Sequence, residues 1–349
     1  MNDSEDDKNI AVVILNFNGA PFLPNCIGSL LRITRPAFDI YLVDNNSSDN
    51  SIKIVRDNFH SVKIIQNETN LGFGSAYDRA IRNLDYKYIA LLNNDTVVDE
   101  SWLQTLVAVA DNDDSIAACG SKILMMKDDS VIDHAGGMLT IIGSGLDLGK
   151  LTKDIAVREA PRQIGFACGC SLMVRREAYL AAEGFDPYYF MYHEDVDLCW
   201  RLRLLGYSVM YVPDSIVYHA LGGGANRAWE DPRIVRLCQK NRLANMIKNL
   251  GPVGLCWGAV VSCLYDAFRI ARFFLLRRWD LLGSLIGGYV DTIRNVGVLL
   301  RKRAVVQSRR KVSDKEIRGY FMPVFRAAAV YCQLASDTPL ETRGSTRSR

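Results

Sequence analysis

Apolar runs that end in polar residues alternate with helical patterns over the first third of the chain. Strand-like runs lie near residues 10–16, 39–44, 61–66, 87–93 and 115–121, and helical patterns lie near 20–33, 48–57, 74–84 and 100–111. Such alternation is typical of a doubly wound sheet, because each crossover helix returns the chain to the same edge. The pattern predicts an α/β fold with a mostly parallel central sheet.

The pattern changes after residue 122. Residues 131–149 are rich in glycine and predict a short hairpin with a flexible loop, and residues 164–174 predict a strand that leads into a helix. Glu194 and Asp195 stand where a loop enters the next helix, and a short strand after that helix ends in His219. We expect this half of the chain to build the acceptor side of a site.

Three of the early strands finish in polar residues. The first runs into the turn at 16–19, which contains Asn16 and Asn18, the second ends in Asp44, and the run at 86–95 ends in Asp95. Ligands of open α/β sheets bind at the carboxyl edge of the strands, where these side chains would meet. Three polar strand ends at one edge therefore predict a binding site.

Asp195 is a candidate general base. A carboxylate in the first turn of a buried helix is oriented by packing and is kept ionised by free backbone N–H groups. The alternative is that Glu194 and Asp195 only cap the helix, since acidic caps are common. Spacing alone leaves both interpretations open.

Composition agrees with an enzyme-sized core. The chain has 349 residues, 49% of them hydrophobic, which can bury one domain of roughly 200–250 residues with an appendage. The first nine residues are polar and lack the basic and apolar regions of a secretory signal, so we expect the catalytic part to stay in the cytoplasm. The nine cysteines show no disulfide spacing, and Cys168 and Cys170 lack the second pair that a zinc site needs.

Several ordered motifs resemble one known family. The chain is similar to the family 2 inverting glycosyltransferases of the GT-A fold, particularly bacterial rhamnosyltransferase-like members, over roughly residues 10–250. The motifs are VVILNFNG, VDNNSSD, NLGFGSAYDRA, YIALLNNDTVV, GCSLMVRREAYLAAEGFDPYYFMYHEDVDLCWRLRLLGY and YVPDSIVYH.

The resemblance implies a sugar-nucleotide pocket and a divalent metal. Asp44 would contact the nucleobase or ribose, and Asp95 corresponds to the last carboxylate of the family's D-x-D motif, which would bind Mg²⁺ or Mn²⁺. The motif here reads Asn93-Asn94-Asp95, with a single carboxylate, so the substrate phosphates would supply much of the coordination. Other residues implied to bind the nucleotide sugar are Asn16, Asn18, Asn70, Gly72 and Asn94.

The same resemblance implies roles in transfer. Asp195 would deprotonate an acceptor hydroxyl that attacks the anomeric carbon in one inverting displacement. Glu194 and Gly169 would orient the acceptor or the loop, and His219 would complete the metal shell, unless it is simply a buried histidine satisfied by the loop. Gly72 has a simpler alternative too, a strand-to-helix turn.

Beyond residue 250 the composition predicts membrane-associated helices. Apolar runs at 252–276 and 280–290 are interrupted by charges, and neither is a clean span of about 20 apolar residues. Residues 266–318 carry 13 Lys or Arg against 5 Asp or Glu, whereas the whole chain is only +3. Amphipathic helices with basic flanks fit an anionic membrane surface better than a nucleic acid. The alternative is a helical bundle or the interface of a homo-oligomer.

Together these features predict an enzyme of cell-surface polysaccharide synthesis, peripheral on the inner face of the plasma membrane. It would transfer a sugar, first choice dTDP-L-rhamnose, to a lipid-linked glycan; a UDP-sugar or GDP-mannose donor and a non-catalytic binding protein are the alternatives. We expect a disordered segment at 1–9, the catalytic domain at 10–250, the helical region at 251–335 and a disordered tail at 336–349. The glycines at 222–224 predict a lid or a flexible linker.

Overall fold

The structure is a computed structural model that describes residues 9–154, 159–220 and 230–323. The predicted disordered tail at 336–349, the predicted disordered segment at 1–9 except for Asn9, and the glycines at 222–224 lie outside the described residues.

The strands and helices of the first third lie where the hydrophobic pattern predicts them. Strands β1 (Ile10–Asn16), β2 (Asp39–Asp44), β3 (Val62–Gln66) and β4 (Tyr88–Asn93) alternate with helices α1 (Leu23–Leu30), α2 (Ser51–Asn58) and α3 (Phe73–Arg82). A short strand β5 (Thr96–Val98) then precedes α4 (Trp102–Asp111). Strands β1 and β4 are almost wholly apolar and buried, as expected for strands that are covered on both faces.

The second half supplies the remaining strands and two helices. They are β6 (Ile116–Met125), β7 (Asp128–His134), β8 (Gly137–Leu139), β9 (Gly145–Asp147), β10 (Arg162–Gln163), β11 (Ser171–Arg175), α5 (Arg176–Ala181), α6 (Glu194–Leu204) and β12 (Ser208–His219). The predicted hairpin is formed by β8 and β9.

Two predictions in this half are wrong in extent. The strand expected at 164–174 is present only at Ser171–Arg175, because the preceding segment bends past the β8–β9 hairpin, where the Gly137 N–H donates to the Phe166 carbonyl. The strand that ends in His219 is not short but 12 residues long, since it pairs with β6 along nearly its whole length through a register shift.

The central sheet is mixed and aligns the polar strand ends. Ten strands follow the order β10-β12-β6-β11-β4-β1-β2-β3, with β5 on β12 and β7 on β6. Strands β1, β2, β3 and β4 are parallel, and the register places Asn16 opposite Asp44 and Leu15 opposite Asn93. The carboxyl ends of these strands therefore meet at one edge, as the sequence predicts.

Helices cover both faces of this sheet. One apolar cluster includes residues of α3, α5 and α6, and the other includes residues of α1, α2 and α4. Helix α6 suits its position electrostatically, because Glu194, Asp195 and Asp197 occupy its first turn and Arg201 and Arg203 its last turn, each next to the favourable end of the helix dipole.

Four helices follow the sheet: α7 (Pro232–Asn249), α8 (Pro252–Leu275), α9 (Trp279–Arg294) and α10 (Val296–Arg309). Helix α7 begins where the Asp231 side chain accepts a hydrogen bond from the Arg233 N–H and Pro232 fills the first position. Contrary to the expectation of no clean span, α8 is by length and composition long and apolar enough to cross a membrane, because its charges are confined to its second half.

Buried charges join the helices after the sheet to α6. Lys248 of α7 is 1% exposed and lies 2.5 Å from Asp186 and 3.0 Å from Asp197, and Lys302 of α10 reaches Asp186 at 2.7 Å. Asp197 also pairs with Arg201 of its own helix, at 2.8 Å. Although burial opposes its charged form, Arg201 and Lys248 lower the pKa of Asp197 below its usual value. Helices α7 and α10 are thus bound to the catalytic part by ion pairs.

Candidate active site at the carboxyl edge of the sheet

Asn16 organises the edge where β1 and β2 end. Its side-chain nitrogen lies 3.0 Å from Asp44 Oδ1, 3.0 Å from Ser47 Oγ and 2.9 Å from Ser51 Oγ, and its oxygen accepts from the Asn94 side chain at 2.8 Å. Asn16 is fully buried. Asn16 therefore positions Asp44 and Asn94 at the predicted pocket. Both ends of its amide are already hydrogen-bonded inside the protein.

Asn18 connects two loops at the rim of this edge. It has a positive φ of 53° and is exposed, and its Oδ1 accepts hydrogen bonds from the backbone N–H of Ser48 and Asp49 at 2.8 and 3.3 Å. Asp49 in turn accepts from the Ala20 N–H at 3.0 Å. The two loops after β1 and β2 are thus held in register beside Asp44.

A second amide network holds the loop before α3. The Asn45 side chain donates to Asn70 Oδ1 at 2.8 Å and to the Gly72 carbonyl at 3.1 Å, and its oxygen accepts from the Leu71 N–H at 3.0 Å. Gly72 has a φ of 80°, and a Cβ there would lie 2.2 Å from the Phe190 carbonyl oxygen. This position requires glycine because of both its backbone angle and its close approach.

Asp95 and His219 lie together, as predicted. His219 Nε2 is 3.3 Å from Asp95 Oδ1, and His219 Nδ1 is 2.9 Å from Asp133 Oδ2. Histidines that ligate metals commonly donate their second ring N–H to a carboxylate, which fixes the ring. The arrangement places Asp133 as the group that orients His219 toward Asp95.

Asp95 and His219 supply part of the ligand set that a divalent cation needs. Burial disfavours the charged imidazole, but Cys170 and hydrogen bonds with Asp133 and Asp95 raise the pKa of His219 well above its usual value. A cation bound by Asp95 and His219 would replace that proton. Among the residues that the structure describes, no group of three or more His, Cys, Asp or Glu side chains is arranged to hold a metal. Ligands beyond this pair would come from the substrate.

Asp195 is held by two backbone donors. Its Oδ2 accepts from the Gly169 N–H at 3.0 Å and its Oδ1 from the Val196 N–H at 2.7 Å. Burial raises the pKa of Asp195, and the two N–H groups oppose that rise. A carboxylate that is held in this way, with a raised pKa, is suited to accept a proton.

Glu194 differs from its neighbour. It is 5% exposed, and its Oε2 has no hydrogen-bond partner among the described residues. Burial, and then the charge of Asp195, raise the pKa of Glu194 well above its usual value. Because Asp195 accepts two N–H donors and Glu194 Oε2 none, the hydrogen bonds favour the negative charge on Asp195 over that on Glu194.

The turn at 168–170 brings the base and the metal pair together. The Gly169 N–H donates to Asp195, and the next residue, Cys170, has its thiol beside His219 and its carbonyl bonded to the Asn93 N–H at 3.0 Å. Consecutive Cα atoms are about 3.8 Å apart, so Asp195 and His219 adjoin neighbouring positions of one turn. The predicted catalytic and metal residues thus form one site.

A further charged cluster borders this site and was not predicted. His134 Nδ1 and Lys150 Nζ lie 3.0 and 3.3 Å from the two oxygens of Asp147, and Lys150 is 3.5 Å from Asp133. The sequence pattern of 131–149 predicts only a glycine-rich hairpin and loop. Asp133 and His134 are adjacent in the sequence, but only the pairing of β7 and β9 with their neighbours brings them to the site. Asn45, in contrast, stands directly after Asp44 within the motif VDNNSSD.

Residues 11–181 match the sequence profile of the family described as Glycosyl transferase family 2. A similar protein is the N-acetylglucosaminyl-diphospho-decaprenol L-rhamnosyltransferase of Mycobacterium tuberculosis, 28% identical over 232 residues, which are 60% of this chain and 75% of the relative. The rhamnosyltransferase WbbL of Escherichia coli is 28% identical over 209 residues, 52% of this chain and 76% of the relative.

A solved structure shares the fold. The mannosyltransferase PcManGT from Pyrobaculum calidifontis, in complex with GDP-Man and Mn²⁺, superposes with a TM-score of 0.53 at 15% identity, covering 82% of this chain and 87% of that one. At this identity the likeness concerns the fold of the chain.

Proposed function

The chain belongs to the family 2 glycosyltransferases of the GT-A fold, and from this premise we propose that it transfers L-rhamnose from dTDP-L-rhamnose to a hydroxyl of a lipid-linked glycan. Two relatives with 28% identity are rhamnosyltransferases, and one of them is named for a diphospho-decaprenol acceptor. These names support the sugar and the lipid-linked acceptor. The product would be an intermediate of a cell-surface polysaccharide.

The adjacency of the base and the metal pair carries this proposal. Gly169 and Cys170 join Asp195 to His219 and Asp95 within one turn, at the edge where the parallel strands end. A glycosyl transfer needs a base at the acceptor hydroxyl and positive charge at the leaving diphosphate, within the length of one sugar ring. A protein that only binds a nucleotide sugar would not need a base beside the metal-binding residues.

Asp195 performs the proton step. Its ionised carboxylate accepts the proton of the acceptor hydroxyl as that oxygen attacks the anomeric carbon from the face opposite the leaving diphosphate. The bond to the diphosphate breaks in the same step, so the configuration inverts. The N–H groups of Gly169 and Val196 keep the carboxylate oriented throughout.

Asp95 and His219 are the residues that would hold Mg²⁺ or Mn²⁺. When bound, the metal neutralises charge on the leaving nucleoside diphosphate. Asp133 keeps the His219 ring aimed at Asp95. Asn16 and Asn45 hold the surrounding loops, with Asp44, Asn18 and Asn70 at the nucleotide side.

We place the enzyme on the inner face of the plasma membrane. A lipid-linked acceptor presents its hydroxyls just above the bilayer, and sugar nucleotides are found in the cytoplasm. The donor has two alternatives, a UDP-sugar and GDP-mannose. GDP-mannose is supported by the GDP-Man complex of the structural relative. This support is weaker, because the likeness to that protein concerns the fold.

A thermal-shift panel tests the proposal. dTDP-L-rhamnose, UDP-GlcNAc, UDP-glucose and GDP-mannose are each added with Mn²⁺ and with EDTA, since a ligand that binds only the folded state raises its melting temperature. We expect a shift with dTDP-L-rhamnose that needs Mn²⁺ and that Asp95→Ala abolishes, while Asp195→Asn keeps it. A shift with another donor alone would replace rhamnose, and no shift with any donor would favour a non-catalytic member of the family.

A further inference from the structure

One face of α8 is apolar and exposed along most of its length. Val253, Trp257, Val260, Leu264 and Phe268 recur every three or four residues and are 84%, 62%, 53%, 68% and 59% exposed. Sixteen residues of helix are about 24 Å long, so this face is a continuous stripe. Monomeric soluble proteins rarely expose such a contiguous apolar surface without a partner for it.

The opposite face of α8 is fixed to the protein. Ser262 and Asp266 are 2% exposed, and Arg242 of α7 donates to Ser262 Oγ at 2.9 Å and pairs with Asp266. Gln239 Nε2 also donates to Asp266, at 3.1 Å. A helix that crossed a bilayer would have to leave Arg242 and would carry Asp266 into lipid, both of which are costly. These contacts favour a helix that lies along the protein surface.

Basic and aromatic residues lie where α8 turns into α9. Leu275 and Trp279 are 79% and 56% exposed, and Arg272 and Arg277 are exposed beside them. No ion pair of either arginine is found in the described part of the chain. Arginines next to an apolar helix attract anionic headgroups, and tryptophan suits the boundary between headgroups and acyl chains. This end of the surface therefore matches an anionic membrane in charge as well as in polarity.

We propose that α8 is an in-plane membrane-binding helix, whose outward face inserts into the interfacial layer of a bilayer that contains anionic lipid. The helix does not span the bilayer, because its inner face stays paired with Arg242. This inference deepens the proposed function, on which it rests for the identity of the acceptor as a membrane-anchored glycan.

The same helix contacts the wall of the candidate active site. A Cβ at Gly258 of α8 would lie 2.6 Å from the carbonyl oxygen of Ile141, in the loop of the β8–β9 hairpin. The hairpin packs against α6, where a Cβ at Gly145 would lie 2.8 Å from Val196 Cγ2, next to Asp195. One hairpin therefore separates the lipid-facing helix from the first turn of α6, which suits an acceptor that is anchored in the same bilayer.

Vesicle co-sedimentation tests the surface. Wild type is compared with the triple variant Trp257→Ser, Leu264→Ser, Phe268→Ser, and Leu31→Ser is the matched control, an apolar side chain of the catalytic domain that is 51% exposed. With vesicles of phosphatidylcholine and phosphatidylglycerol, we expect wild type and control to bind. The triple variant should bind about 1000-fold more weakly, since burial of each of the three large apolar side chains is worth about tenfold or more in affinity.

Two native cysteines test the orientation. Cys256 and Cys263 of α8 are both exposed and lie seven residues apart, and each is labelled with an environment-sensitive fluorophore while the other is changed to serine. Lipids brominated at shallow and deep positions then report the depth of each label. An in-plane helix gives two similar, shallow depths, whereas a spanning helix separates them by about 10 Å. Unequal depths would overturn the in-plane arrangement.

Donor binding separates this proposal from the proposed function. The triple variant is expected to keep the donor-induced thermal shift, because α8 does not contribute to the nucleotide side. If wild type shows that shift but does not bind vesicles, the proposal of a membrane-binding surface is wrong and the transferase assignment stands. The same holds if light scattering shows that α8 instead mediates self-association. Vesicle binding without any donor shift would overturn the proposed function and leave the surface intact.

Discussion

Replacement of Asp195 by asparagine tests the central chemical step. The carboxylate accepts one N–H on each oxygen, from Gly169 at 3.0 Å and from Val196 at 2.7 Å. An amide has one acceptor oxygen, so one N–H would face an NH₂ group, at a cost of about 1–3 kcal/mol in the free energy of unfolding. The protein should remain folded with a lower melting temperature.

Removal of the base should affect the rate of sugar transfer much more than it affects the free energy of unfolding. A positioned general base contributes about 10²–10⁴-fold, which corresponds to about 3–5 kcal/mol in the activation barrier. We expect kcat for sugar transfer, followed as released nucleoside diphosphate, to fall within that range while donor affinity is unchanged. Asp85→Asn is the control, since the Asp85 side chain is fully exposed.

The pH profile gives an independent readout. Burial raises the pKa of Asp195, so the base becomes protonated, and inactive, at a higher pH than an ordinary aspartate would. In wild type kcat/KM should rise with pH through that raised pKa, and in Asp195→Asn this limb should be absent. Glu194→Gln should cause a much smaller loss, because Glu194 lacks the two N–H donors that hold Asp195 in place as the base. Retained activity in Asp195→Asn, with an unchanged limb, would refute the assignment of the base.

Three further predictions concern the surroundings of the site. Gly72→Ala should weaken both nucleotide binding and stability, because a Cβ on this positive-φ residue would lie 2.2 Å from a carbonyl oxygen; wild-type affinity in nucleotide titration would contradict it. Asp133→Asn should lower Mn²⁺ affinity by about 10–100-fold by releasing the His219 ring, measured by metal titration with donor present, and an equal affinity would remove Asp133 from the metal site. Arg242→Met should destabilise the protein by about 3–5 kcal/mol in urea denaturation, because it breaks a buried ion pair, and adding Asp266→Leu should recover part of that loss; a further loss instead would show that the pair is not coupled.

The early part of the fold follows from the sequence because its signals are local. Strands such as Ile10–Asn16 and Asp39–Asp44 are unbroken apolar runs of the right length, and each ends at a polar residue. Parallel pairing then brings Asn16 beside Asp44 without further information. The same logic fails for residues 164–170, where an apolar run contains glycines and bends past a hairpin. Nothing local distinguishes that bend from a strand.

The residues of the candidate site can be proposed from the sequence, but their contacts with one another cannot. Asp95, Asp195 and His219 could be identified from motifs, whereas the pairing of His219 with Asp133, 86 residues earlier, depends on how β7 and β12 lie against β6. Asn16 also makes contacts that its position in the sequence does not reveal. Its type and position indicate ligand binding, but its burial and hydrogen bonds make it a support for Asp44. Burial of a single side chain is set by tertiary packing, which no local pattern contains.

The buried ions between α6 and α7 affect how this protein can diverge. Asp186 and Asp197 lie on the catalytic side, and Lys248 belongs to the helices that follow the sheet. A change of any one leaves an uncompensated charge in the interior, so these positions should change together, or not at all, among descendants of one ancestor. We therefore expect the domain that contains the sheet and its C-terminal helices to be inherited as a pair. Exchanging the helices between relatives would require the exchange of their buried counter-charges as well.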